Sequence, residues 1–128
     1  MSSLRRTLEG DVLVHHLKRD EQMIDQDLLA RQGRSARTLV KEGPLRLTEI
    51  AIAAGRGIPV HQAEGPVTIH LLEGDATFEV GEREYALAAG DILVLASGVR
   101  HSVRSKDGCV LLLTVVHFPS AGTPVAGT

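Results

Sequence analysis

The side chains of this 128-residue chain best suited to chemistry near neutral pH are its six histidines, His15, His16, His61, His70, His101 and His117. An imidazole titrates close to neutrality, and its neutral form keeps one nitrogen lone pair. Two such rings brought together can serve as an acid–base couple or as metal ligands. Gln62 and Glu64 flank His61 and add oxygen donors from the same stretch, while Arg100 beside His101 could draw an anion. The single cysteine, Cys109, lies in the apolar run Cys109-Val110-Leu111-Leu112-Leu113 and reads as a buried structural thiol without a basic partner. Ser97 and Ser102 have no arranged base and orienting acid around them. Gly55-Arg56-Gly57 lacks the strand-then-helix setting of a dinucleotide fingerprint, and Gly81-Glu82, set between strands, is a hairpin turn rather than a phosphate cradle.

Composition narrows what these residues can act upon. A hydrophobic fraction of 43% with 23% charged residues is globular, and the length suits one domain with a real core. The formal net charge of −2 offers nothing to a phosphate backbone, and Phe78, Tyr85 and Phe118 are the only aromatic residues available for bases to stack on. A nucleic-acid partner is therefore not expected. No apolar run reaches the ~18 residues of a spanning helix. The opening Met1-Ser2-Ser3-Leu4-Arg5-Arg6 has no apolar stretch behind its arginines, so neither membrane nor secretion is expected and the location reads as cytoplasmic.

The elements that must carry the histidines are mostly strands. Asp20 to Ala30 reads as a short helix capped by Asp20 and broken by Gly33, with Val12 to Leu17 before it as a short strand. From Arg37 onward short apolar runs alternate with glycine-bearing turns. The strands expected are Thr38 to Val40, Leu45 to Ala53 with a bulge near Thr48-Glu49, Val67 to Leu72, Ala76 to Val80, Arg83 to Leu87, Ile92 to Leu95, His101 to Ser105 and Cys109 to Phe118. Glu73-Gly74-Asp75, Gly81-Glu82, Ala89-Gly90-Asp91, Ser97-Gly98 and Lys106-Asp107-Gly108 supply the turns, with Gly74, Gly90 and Gly98 placed where the chain must reverse tightly. Regular short strands of this kind build a sandwich or barrel. Pro119 to Thr128 reads as a flexible tail.

Two spaced patterns resemble the cupin family. The family's first motif runs Gly, five residues, His-x-His, a short gap, Glu, six residues, Gly. Here Gly55, His61 and Gly74 keep that frame, whereas Ala63 stands at the second histidine and Val67 at the glutamate. The second motif runs Gly, five residues, Pro-x-Gly, two residues, His, three residues, Asn. Gly90, Gly98 and His101 keep it, with Ala96 for proline and Ser105 for asparagine. His70-Leu71-Leu72-Glu73-Gly74-Asp75-Ala76-Thr77-Phe78 and Ala89-Gly90-Asp91-Ile92-Leu93 are similar to cupin text as well, so the resemblance spans roughly residues 45 to 118.

The resemblance implies an all-β fold, the cupin double-stranded β-helix or jelly-roll barrel, preceded by a short helical segment. The domains expected are an N-terminal extension over 1–36, the barrel over 37–118 and the tail over 119–128. In metal-binding cupins three histidines and a glutamate converge at the barrel mouth, so His61, Ala63, Val67 and His101 are the expected ligand-binding positions. Only His61 and His101 of these could hold Fe, Mn, Ni or Zn, and two imidazoles hold a divalent metal weakly. His70 is a lesser metal candidate: if Val67, Ile69 and Leu71 face inward, strand parity turns His70 outward. Two readings follow. One is a small-ligand-binding cupin with an apolar barrel, favoured by Ala63 and Val67. The other is a metal-dependent dioxygenase- or isomerase-like enzyme with a reduced ligand set, favoured by His61 and His101. An accessory role in assembly is a third. A homodimer is expected, because Ile92 to Leu95 and Val110 to Val116 are apolar on both faces and a barrel has one interior.

Overall fold

The computed structural model describes residues 11–17 and 24–118. One helix, α1 (Gln26–Gln32), precedes eight strands: β1 (Arg34–Glu42), β2 (Leu45–Ile52), β3 (Gly57–His61), β4 (Val67–Val80), β5 (Arg83–Ala88), β6 (Ile92–Leu95), β7 (His101–Arg104) and β8 (Cys109–Val116). The hydrogen-bonded order is β1-β2-β8-β4-β7-β3, with β5 and β6 also paired to β4 and every pairing antiparallel. This curled all-β sheet is the jelly-roll architecture the sequence implies.

The longest strand, β4, belongs to both halves of the barrel. Its first half pairs with β6 and β8, and its second half with β5 and β7. In the first half Val67, Ile69 and Leu71 are buried; in the second half Ala76 and Phe78 are. The inward set thus changes from odd to even positions. An extra residue on β4 causes the change: Leu71 pairs with Leu111 while Glu73 already pairs with Val110, which leaves Leu72 bulged. A bulge of one residue exchanges the two faces of a strand and bends it. The turn expected at Glu73-Gly74-Asp75 is therefore corrected, since the chain bends there without reversing. Gly74 is required all the same. Its φ is +83°, and a Cβ would lie 2.0 Å from the carbonyl oxygen of Gly108, so the crossing to the β8 turn admits only glycine.

Other expectations shift in detail. The helix begins later than expected: Asp25, not Asp20, is its N-cap, and the Asp25 carboxylate accepts the Leu28 N–H at 2.9 Å. Gly33 closes the helix at φ +81° as expected. Asp20 lies outside the described residues, as does the tail from Pro119 onward. Val12 to Leu17 forms no strand; a hydrogen bond between His15 Nε2 and the Leu39 carbonyl oxygen at 2.9 Å ties it to β1. The bulge expected near Thr48-Glu49 sits opposite, in β1, where the register shifts between Thr38 and Val40. Strand β3 was not expected at all, because Pro59 interrupts its pattern. Proline lacks an N–H and is tolerated on an edge, and β3 is the terminal strand of the order.

The core collects the inward residues of all these strands, with Ile52, Ile69, Leu71 and Phe78 almost fully enclosed. Each such side chain contributes about 1.5–3 kcal/mol by leaving water. The outer face of the larger half carries a cross-strand row of Ile92, His70, Leu112, Glu49 and Arg37. At its end Arg37 Nη2 donates to Glu49 Oε1 at 2.6 Å, an ion pair whose carboxylate is only 4% exposed. Pairing directly across two strands is what permits a charge to be buried there.

Candidate ligand-binding site

His61 is the last residue of β3 and His101 the first of β7, and the antiparallel register sets them directly opposite one another. Their ring centroids are 4.2 Å apart, with the planes inclined at 58°. Two residues forty positions apart in the chain thus meet at one end of the barrel. The register slips between Ile58 and His61, across Pro59, which cannot donate to the ladder.

Each ring is anchored in the same way. His61 Nδ1 donates to the Pro59 carbonyl at 2.9 Å, and His101 Nδ1 donates to the Val99 carbonyl at 3.0 Å. In both cases the acceptor lies two residues earlier. A carbonyl oxygen can only accept, so both Nδ1 atoms carry the proton and each neutral ring presents a bare lone pair at Nε2. Among the described residues no protein donor reaches either Nε2. His101 is 4% exposed, whereas His61 is open to solvent. Burial pushes the His101 imidazole below its usual pKa. The Val99 carbonyl opposes that shift in part, and the neighbouring His61 reinforces it.

Beneath the two rings lies a narrow cavity of about 20 Å³, with Ile50, Ile58, Ile69, Phe78, Leu111 and Leu113 among its walls. That is room for about one water molecule. Phe78 lies 6.4 Å from the His101 ring, centroid to centroid. The walls carry no carboxylate and no cation.

The other expected positions stand apart from this cavity. Val67 is buried in the core opposite Leu95 and Val115, and Ala63 packs against the same core, but neither lines the cavity. His70 points to the outer face, in register with Ile92 and Leu112, since its neighbours Ile69 and Leu71 point inward. His117 Nε2 lies 3.8 Å from Glu64 Oε1, and Gln62, Glu64 and Arg100 are exposed. Cys109 is buried, and desolvation raises its pKa to about 11, so its thiol stays protonated and unreactive.

A typical site for a divalent transition metal uses three or four protein donors. The pair supplies two nitrogens and no oxygen, and no cluster of three or more His, Cys, Asp or Glu side chains suited to a metal occurs among the described residues. The described side chains do not fit a resident divalent ion. Sequence reasoning found the two rings but missed their shared anchoring; no sequence signal marked it, because every histidine has a backbone carbonyl two residues earlier and only the local backbone conformation brings it to Nδ1.

Comparison with known proteins agrees with this architecture. The pattern of the Cupin domain family matches residues 48–117. A protein of unknown function from Streptococcus pyogenes shares 26% identity over 93% of this chain and 97% of its own, with a TM-score of 0.67. A cupin-2 domain containing protein from Shewanella frigidimarina shares 15% identity over 81% and 95%, with a TM-score of 0.67. Salicylate 1,2-dioxygenase from Pseudoaminobacter salicylatoxidans reaches a TM-score of 0.72 at 18% identity over 80% of this chain but only 34% of its own. No curated protein matches the chain. No helix among the described residues is long and apolar enough to cross a membrane. The family match covers more than half of the chain, and the barrel and both histidine frames accord with it: the chain belongs to the cupin domain family.

Proposed function

We propose that the protein binds a small molecule at the mouth of its barrel, through His61 and His101, without a resident metal. One observation carries the reading: two imidazoles with ring centroids 4.2 Å apart, each with Nδ1 spent on a backbone carbonyl, share an apolar cavity whose walls offer no third metal donor. Ala63 and Val67 stand where metal-binding cupins have ligands, and neither side chain can donate. A dioxygenase- or isomerase-like activity would need a metal held by the same two histidines. Metal analysis of the purified protein, before and after incubation with Fe, Mn, Ni or Zn, separates the two. Far less than one equivalent is expected. Stoichiometric metal that is lost in His101→Ala would overturn the metal-free reading and put the enzyme in its place.

The proposal extends to a cytoplasmic homodimer. Ile92 and Val94 are 58% and 66% exposed on the outer face of the larger half, which also carries Leu112 on the far side of His70. An apolar face of this kind gains from a cover, and an isologous partner presents the same face in return. Light scattering at micromolar concentration should give twice the 13.7 kDa chain mass; a monomer there would count against this part.

A further inference from the structure

We propose that the Asp107-Gly108 junction is a latent isoaspartate site, held closed in the folded protein by Ser105 and Asp75. An aspartate followed by glycine is the sequence most open to this rearrangement, because glycine has no side chain to shield its amide nitrogen. The chain contains no other Asp-Gly pair and no asparagine. Asp107 is exposed to water in the turn between β7 and β8. The reaction needs only the chain and water. The Gly108 nitrogen loses its proton and attacks Cγ of Asp107; a C–N bond forms, a carboxyl C–O bond breaks, and one water departs. The cyclic succinimide then takes one water back. Cleavage at the Cγ side restores aspartate. Cleavage at the main-chain carbonyl leaves the chain running through the side-chain carboxyl group, as an isoaspartate of equal mass with one more carbon in the backbone.

Hydrogen bonds on both sides of Asp107 oppose the attack. The Gly108 N–H donates to Ser105 Oγ at 2.8 Å, and Ser105 is 2% exposed. A buried hydroxyl is no base, so the nitrogen keeps its proton while that bond stands. The same hydroxyl donates to the Asp75 carbonyl at 2.7 Å, which fixes it in place. On the other side the Asp107 N–H donates to the Asp75 carboxylate at 2.8 Å. The product is opposed as well. A Cβ at Gly74 would lie 2.0 Å from the Gly108 carbonyl oxygen, so β4 passes in close contact with the turn. An added backbone carbon between the buried Ser105 and Cys109 has to displace that carbonyl. Rearrangement is therefore confined to molecules in which the turn has opened, and its rate follows their population.

The test ages the full chain at neutral pH, folded and in urea. Isoaspartate is measured as a second chromatographic form, of unchanged mass, of the peptide carrying residue 107. Folded protein is expected to form it at least about tenfold more slowly than unfolded protein. Ser105→Ala removes both the acceptor of the Gly108 N–H and the tie to the Asp75 carbonyl. Folded, this variant should form isoaspartate about 5–30-fold faster than the parent. Equal rates in folded and unfolded protein would overturn the lock, and Ser105→Ala ageing no faster than the parent would overturn the part given to Ser105. No isoaspartate at residue 107 in urea would overturn the site itself. Amide hydrogen exchange at Gly108 in the unaltered protein tests the lock without any variant having to fold. Slow exchange is expected there, and exchange as fast as in the urea-unfolded chain would overturn the lock.

Discussion

Strand β7 begins at His101 and stops one residue before Ser105, and its two ends treat polar groups in opposite ways. At the Ser105 end they satisfy one another. Ser105 is 2% exposed; its hydroxyl donates to the Asp75 carbonyl at 2.7 Å and accepts the Gly108 N–H at 2.8 Å. The Asp75 carboxylate accepts the N–H groups of Lys106 and Asp107 at 2.9 and 2.8 Å, and these bonds hold its pKa below the usual carboxylate value. At the His101 end, roughly 13 Å away along the strand, each ring has Nδ1 satisfied, and its second nitrogen has no hydrogen-bond partner among the described residues. A closed network holds a turn in place, whereas an open pair of acceptors is available to something that arrives from outside. The contrast sets a closed network at one end of the barrel against the histidine pair for which ligand binding is proposed at the other.

The largest effect should come from Gly74→Ala, at the closed end. The substitution combines a positive φ with a backbone collision against Gly108, and it should lower stability by about 3 kcal/mol or more. Urea unfolding measures this as a fall in midpoint. A change below about 1 kcal/mol would mean that the strand crossing is not as tight as described. Ser105→Ala comes next. It removes a donor to Asp75 and the acceptor of Gly108 N–H in a buried position, at a cost of about 1–2 kcal/mol. The imidazole ¹⁵N shifts of His61 and His101 should stay where they were; if they moved, the two ends would not be independent.

His101→Phe should cost less than about 1 kcal/mol in the same unfolding assay, because one bond to Val99 is lost while a desolvated imidazole is replaced by an apolar ring. A loss as large as that of Ser105→Ala would show that the histidine holds the fold, and would erase the distinction between the ends. The smallest effect is the response to pH. His101 has a folded pKa below its unfolded value of 6.5, so below 6.5 the unfolded chain takes up a proton that the folded chain refuses, and stability declines as the pH falls through that window. The Asp75 contribution is present above its unfolded value of 3.8 and is lost only as the pH drops further, through its lowered folded pKa. Unfolding midpoints from pH 8 to pH 3 should therefore show two separate declines. His101→Phe should abolish the upper one alone, and Asp75→Asn the lower one alone.

Much of this molecule could be read from the chain itself. Alternating apolar residues and glycine-bearing turns define strands through local sterics and the period of two, which is why β5, β6, β7 and the Gly81-Glu82 hairpin fall where expected. The frames around His61 and His101 likewise singled out the two rings. Strand β3 stayed hidden because Pro59 weakens its local pattern, and only pairing with β7 makes it a strand. The bend at Gly74 read as a reversal, because glycine marks any position where the backbone approaches another closely, and the sequence does not say which backbone. The Arg37–Glu49 pair was invisible for the same reason: its burial depends on register across two strands.

Local chemistry in the chain thus determined which residues turn, extend and carry lone pairs. The tertiary structure alone decided that the rings of His61 and His101 meet at one cavity while His70 and His117 stand elsewhere, because convergence depends on the folding of distant segments onto one another, and spacing along a chain carries no measure of that.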